Sequence, residues 1–207
     1  MDSNLGFSTD SKYLAFSLAK KEINVWKSEE SSYKKLCVLD GHSDLVRSIC
    51  FHPAGTHMFS AGMDNRIKIW SVLDDQFTEI LSIEAHHETV SCMLFTKNGI
   101  NLISGGFDKM VKVWKFEKES ITPWQTMDGH KGWVTSLDIG YDDKIIVSGS
   151  TGGELIFWKL VKSDYIEMQT LYAHTGWINS ISIHPRGEFI ASAGNDCKVK
   201  IWSITED

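Results

Sequence analysis

The chain has 207 residues, 42% of them hydrophobic and 23% charged, with a formal net charge of −6. That is a globular composition, long enough to bury a core; the acidic balance disfavours a phosphate backbone as partner, and no apolar run approaches the ~18 residues of a membrane span. Cys37, Cys50, Cys92 and Cys197 are far apart and the opening MDSNLGFSTD lacks the basic and apolar stretches of a signal peptide, so a reduced intracellular setting, cytoplasmic or nuclear, is expected.

Along the chain the predicted elements are short strands. Phe7 and Trp26 are the first landmarks, followed by "KKLCVLD" (34–40). In "LVRSICF" (45–51), Val46, Ser48 and Cys50 alternate with Leu45, Arg47, Ile49 and Phe51; "HMFSAG" (57–62) and "RIKIWSV" (66–72) come next. The series returns as "TEILSIEA", "NLISGG" and "MVKVWKF", then as "WQTMD", "KIIVSGS" and "ELIFWKL", then as "EMQTLYA", "FIASAG" and "KVKIWSI". Turn signals fall at "HPAG" (52–55), "TKNG" (96–99), "YDDK" (141–144) and "HPRG" (184–187). Alternation and β-branched content predict four strands per unit, each of about five residues, and no helix.

The series has a fixed period. Trp26, Trp70, Trp114, Trp158 and Trp202 stand 44 residues apart. Before the last four of them, at a distance of 28, come His42, His86, His130 and His174. At a distance of 10 come Ser60, Ser104, Ser148 and Ser192, and at a distance of 6 Asp64, Asp108, Gly152 and Asp196. A period of this length calls for a repeat architecture.

Over residues 5–204 this frame resembles the WD40 family. The Trp-Asp dipeptide is absent, its place taken by Trp-Lys and Trp-Ser, but the periodic frame is the more specific signal. The resemblance implies an all-β fold of β-propeller type, in one region spanning residues 1–207. Each sequence unit would begin with an outer strand and then supply three inner strands of a four-stranded blade. It also implies a hydrogen-bonded tetrad in each blade, running from Asp to His to Ser to the Trp indole. The sets are His42, Ser60, Asp64 and Trp70; His86, Ser104, Asp108 and Trp114; and His174, Ser192, Asp196 and Trp202. A His, a Ser and an Asp also suit a hydrolase, but a catalytic set occurs once per site, and here the set recurs. In the fourth unit Gly152 leaves His130, Ser148 and Trp158 without their acid, so a water or a looser blade is expected there. In the first unit Phe16 and Lys20 stand at the Ser and Asp positions.

No catalytic residue, cofactor or metal site is expected. The glycines at 104–106 and 151–153 lack a phosphate-binding signature, and His86-His87 has no further ligand at metal spacing. What the resemblance implies is a scaffold holding a protein or peptide partner on the propeller face. Its contact positions would be the start of the innermost strand, the residue two further on, and the residue before the tetrad Asp. They are Leu45, Arg47 and Met63; Thr89, Ser91 and Phe107; Trp133, Thr135 and Thr151; and Trp177, Asn179 and Asn195. Trp133 and Trp177 are the most informative, because interface hot spots favour Trp; packing against neighbouring loops is their other reading. The alternative functions are a histone-peptide reader, which would need an acidic ring these positions do not supply, and a substrate-recruiting module of a larger assembly.

Seven blades at this period take about 300 residues. The expectation here is about five four-stranded blades with the first incomplete, a partial or open propeller. A piece of a longer propeller comes first among the explanations; self-association, pairing with further blades, and a strained five-bladed ring are the others.

Overall fold

A computed structural model describes residues 3–30 and 32–203. All its regular elements are antiparallel strands, arranged in five sheets. The first contains β1 (Ser3–Phe7), β2 (Tyr13–Leu18), β3 (Ile23–Glu29) and β4 (Ser32–Leu39); the second β5 (Val46–Phe51), β6 (His57–Gly62), β7 (Arg66–Leu73) and β8 (Gln76–Glu84). In the third are β9 (Val90–Phe95), β10 (Asn101–Gly106), β11 (Val111–Glu117) and β12 (Ser120–Met127). The fourth has β13 (Val134–Ile139), β14 (Ile145–Ser150), β15 (Glu154–Val161) and β16 (Asp164–Tyr172), and the fifth β17 (Ile178–Ile183), β18 (Phe189–Gly194) and β19 (Val199–Ser203). Within each sheet the strands lie in chain order.

The turns repeat with the strands. Ser11, Gly55, Gly99, Asp143 and Gly187 all have positive φ, between 58° and 74°. Three of the five are glycine, the residue that adopts this conformation without a Cβ clash. Each tryptophan from Trp26 to Trp158 marks a bulge against the outer strand, as at Ile69/Trp70 and Phe157/Trp158. The extra residue reverses which face the outer strand's side chains meet.

Neighbouring sheets stack through their innermost strands, β1 on β5, β5 on β9, β9 on β13 and β13 on β17. Each interface buries an aliphatic face of one sheet against the tryptophan-bearing face of the next. Phe59, Ile67 and Ile69 meet Met93, Phe95 and Trp114, and Ile103, Val111 and Val113 meet Ile139, Ile146 and Trp158. Polar links run across the same interfaces, with Ser48 Oγ accepting the Met93 N–H at 2.9 Å and Ser136 Oγ the Ile181 N–H at 3.0 Å.

No comparable packing joins β17–β19 to β1–β4, so the arc is open and the five-bladed ring is not formed. Its end faces are bare. Val199 and Ile201 are 70% and 65% exposed, whereas their counterparts Ile67, Ile69, Val111 and Val113 are fully buried. At the other end Leu5 and Phe7 are exposed where Ile49 and Phe51 are buried. The missing strand also has a definite place. An outer strand precedes the histidine of its sequence unit but hydrogen-bonds to the sheet of the preceding tryptophan, as β4 pairs with β3, which carries Trp26. The outer strand that the first unit lacks therefore leaves the first sheet with four strands. The sheet with three, among the described residues, is the fifth.

Candidate functional site

Two constellations recur at fixed places in the sheets: a buried relay inside each blade and a set of loop residues at one end of the strands. The relay forms as expected in three sheets. In the second sheet His42 Nδ1 lies 2.7 Å from Asp64 Oδ2, His42 Nε2 2.7 Å from Ser60 Oγ, and Trp70 Nε1 donates to Ser60 Oγ at 2.8 Å. In the third, His86, Asp108, Ser104 and Trp114 repeat this at 2.8, 2.8 and 2.9 Å. The fifth does so with His174, Asp196, Ser192 and Trp202 at 2.8, 2.8 and 3.0 Å. Proton counting orders the relay. The serine oxygen accepts from the indole and donates to His Nε2, so His Nδ1–H donates to the carboxylate. Burial alone would raise the Asp64 carboxyl, but hydrogen bonds from His42 and from the N–H groups of Ser43 and Arg66 outweigh it and hold the pKa below the ordinary range. Burial pushes the His86 pKa down despite Asp108. The serines are sealed (Ser60, Ser104 and Ser148 have no exposed surface) and their oxygens are already taken by an indole. The geometry is that of a structural fastening, with each buried polar group paired.

The fourth sheet corrects the expectation of a water or a looser blade. Glu154, two residues past Gly152, turns its carboxylate back into the vacant position. His130 Nδ1 lies 3.2 Å from Glu154 Oε1, and the same oxygen accepts the Lys131 N–H at 3.0 Å and the Ser150 hydroxyl at 2.6 Å. His130 Nε2 to Ser148 Oγ is 2.6 Å, and Trp158 Nε1 donates to Ser148 at 2.8 Å. Lys131 is the counterpart of Ser43, whose N–H donates to Asp64, so the glutamate reproduces the histidine contact and that backbone contact of the aspartate, while the Arg66 N–H to Asp64 bond has no equivalent and Glu154 Oε2 is buried without a partner. Burial raises its pKa, but the bonds from His130, Ser150 and Lys131 prevail and bring it to about 2. A Cβ on Gly152 would collide with Glu154 Oε2. Gly152 and Glu154 are thus one compensated pair. A signal was present in "STGGEL": Glu154 is the acid where the other units have Arg66, Met110 and Lys198. In the first sheet Phe16 lies against Trp26 at a ring separation of 5.9 Å, and Trp26 Nε1 is buried without a partner.

The loop positions come together as backbone-bonded pairs. Met63 N–H donates to Leu45 O at 2.8 Å, Phe107 to Thr89 at 2.9 Å, Thr151 to Trp133 at 2.9 Å and Asn195 to Trp177 at 2.8 Å. Phe107 and Trp133 stack with centroids 4.4 Å apart and planes 7° from parallel; Trp133 and Trp177 follow at 6.3 Å, tilted by 56°. Trp133 N–H donates to Thr151 Oγ1 at 2.9 Å. Met63, Trp133 and Trp177 are 39%, 41% and 50% exposed, so the tryptophans pack on neighbouring loops and still present surface. The residues two further on do other work. Ser91 Oγ lies 2.6 Å from Val134 O, and Thr135 Oγ1 bonds Ile178 O, so both tie one sheet to the next. Asn179 donates to Asn195 Oδ1 at 2.7 Å, and Arg47 is half-buried.

Stacked antiparallel sheets, four of the five fastened by a Trp–Ser–His–carboxylate relay, define a β-propeller repeat protein. Residues 33–71, 77–115, 121–159 and 166–203 each match the WD40 model, described as WD domain, G-beta repeat. Since those stretches cover well over half of the sequence, the chain belongs to the WD40 repeat family. Each match starts in an outer strand and ends just beyond a relay tryptophan. A search of the curated proteins gave no match.

Proposed function

We propose that this chain is a non-catalytic scaffold that holds a protein partner on its loop face, with Met63, Phe107, Trp133 and Trp177 as the apolar centre of the contact. WD40 repeats serve in general as protein-interaction scaffolds. The observation that carries the finer reading is the aromatic row across the third, fourth and fifth sheets. Its indoles are exposed yet held in place by stacking and backbone bonds, so little conformational entropy is lost when a partner covers them. Large, rigid aromatic groups at the centre of a patch are the usual hot spots of an interface. Burial pushes the thiols of Cys50 and Cys92 up to about 12 and about 11, and the four cysteines are unpaired, which suits a reducing intracellular setting. The test is the double variant Trp133→Ala/Trp177→Ala. Its circular dichroism should match the wild type while its partners are lost from affinity purification. Retained partners with an intact fold would refute the placement.

A further inference from the structure

The third sheet carries a cavity that the repeat does not require. Its volume is about 510 Å³, and Ile100, Asn101, Lys115, Thr122, Pro123 and Trp124 line it. It lies at the opposite end of the strands from the contact face proposed above: Phe107 follows the end of β10, whereas Ile100 precedes its start. Asn101, Lys115 and Thr122 form one row across β10, β11 and β12, each paired with the next. We propose that this cavity binds a small amphipathic acid, a molecule with an aromatic or branched aliphatic body, an N–H donor and a carboxylate.

The other units are internal controls for the apolar walls. Where the third has Ile100, they have Lys12, Thr56, Lys144 and Glu188; where it has Pro123, they have Lys35, Glu79 and Glu167. The same turns and the same bulge form with polar residues at both places, so the fold does not call for apolar ones. The third unit has apolar residues at both, and it places Trp124 beside them, where Leu36, Ile80 and Met168 stand elsewhere. Ile100 and Trp124 are nevertheless exposed. Mostly apolar walls with a few polar groups are the make-up of small-ligand sites, whose usual volume is about 300–1,000 Å³.

The polar walls specify the rest of the ligand. Asn101 is 8% exposed, and its Oδ1 is buried without a hydrogen-bond partner. At the equivalent places Tyr13 gives its hydroxyl to Asp75 at 2.6 Å, His57 has the Glu119 carboxylate 3.9 Å away, and Ile145 has no polar side-chain atom to satisfy. An unpaired buried acceptor is costly. A ligand N–H relieves it after a turn of the Asn101 amide, whose terminal torsion is broad. Lys115 is the charged residue of the lining. It stands 3.4 Å from Glu117, but both side chains are more than half exposed and such a pair is weak, so the ammonium can turn to a carboxylate in the cavity.

The probe is N-acetylphenylalanine, titrated into the full chain and followed by NMR at the Trp124 indole N–H and the Asn101 side-chain amide. The expected result is saturable shifts confined to the lining residues, with a dissociation constant of about 0.1–1 mM for a ligand of this size. N-acetylphenylalanine carboxamide, which lacks the charge, and 3-phenylpropionate, which lacks the N–H, should each bind about five- to tenfold more weakly. Ile100→Thr and Pro123→Glu install the residues of the second unit, so they should keep the fold, checked by circular dichroism, and weaken binding about tenfold. Lys115→Ser should weaken N-acetylphenylalanine and leave its carboxamide unchanged. Asn101→Ile should remove the advantage of N-acetylphenylalanine over 3-phenylpropionate. Absence of saturation, shifts centred elsewhere, equal binding of the three compounds, or indifference to the substitutions would overturn the proposal.

Discussion

Replacing Glu154 by alanine removes the acceptor of three donors at once: His130 Nδ1–H, the Lys131 N–H and the Ser150 hydroxyl. A buried donor left without a partner costs about 1–3 kcal/mol, and solvent entering beside Gly152 recovers part of that, so a loss of about 3 kcal/mol is expected. The titration of the carboxyl, which the same three bonds shift, gives a similar size. Its pKa falls from an ordinary 4.5 to about 2, and each tenfold change in proton affinity is worth about 1.4 kcal/mol, or about 3 kcal/mol in all. The pKa is lower in the folded state, so this stability is fully present above about pH 5 and drains away as pH falls towards 2. Urea denaturation followed by tryptophan fluorescence, at steps from pH 7 to pH 3, checks both statements. The wild type should weaken over that window, and Glu154→Gln should start lower and change less. At pH 7 Glu154→Ala should melt about 6–12 °C below the wild type. Gly152→Asp should destabilise alone, through its collision with Oε2, but the pair Gly152→Asp/Glu154→Met rebuilds the arrangement of Asp108 and Met110 and should recover most of the loss. If Glu154→Ala costs less than about 0.5 kcal/mol, or the paired change is no better than Glu154→Met alone, the compensation does not exist.

The other expectations concern the relay and the open face. Trp70→Phe should cost about 1–3 kcal/mol more than Trp26→Phe, because only Trp70 has its N–H engaged; denaturant midpoints of the two variants decide it. Ile67→Ala should cost about 2–5 kcal/mol, whereas Val199→Ala, at the equivalent but exposed position, should stay within about 0.5 kcal/mol. Equal losses at the two positions would mean that the fifth sheet is covered in solution.

The parts of the fold written in residue type at constant spacing could be read from the sequence. Trp70 and its equivalents, their serines and their histidines are held in register by the sheets themselves, so a one-residue slip would turn every core side chain outwards. The turn at "YDDK" was legible too, although Asp143 rather than glycine takes the positive φ. The parts that escaped reading lie off the register. Glu154 serves from two residues beyond the expected place, and a frame search at fixed spacing sees only the glycine. Ser91 and Thr135 stand at loop-face positions, but their hydroxyls are spent on carbonyls 43 residues ahead in the next sheet. Only the stacking of sheets shows that distance to be short. The parallel faces of Phe107 and Trp133 likewise depend on two loops from different units meeting.

Because each sheet touches only its neighbours in sequence, the molecule behaves as a linear array rather than as a single core. Its stability is the sum of what each sheet holds within itself and what each interface adds. The second, third and fourth sheets are clamped on both sides, the first and fifth on one. Among the described residues the first also has no relay, and the fifth has a strand fewer. Loss of order therefore begins at the ends and moves inwards one interface at a time, and Ser104, His86 and Asp108, in the middle sheet, are the last fastening to let go.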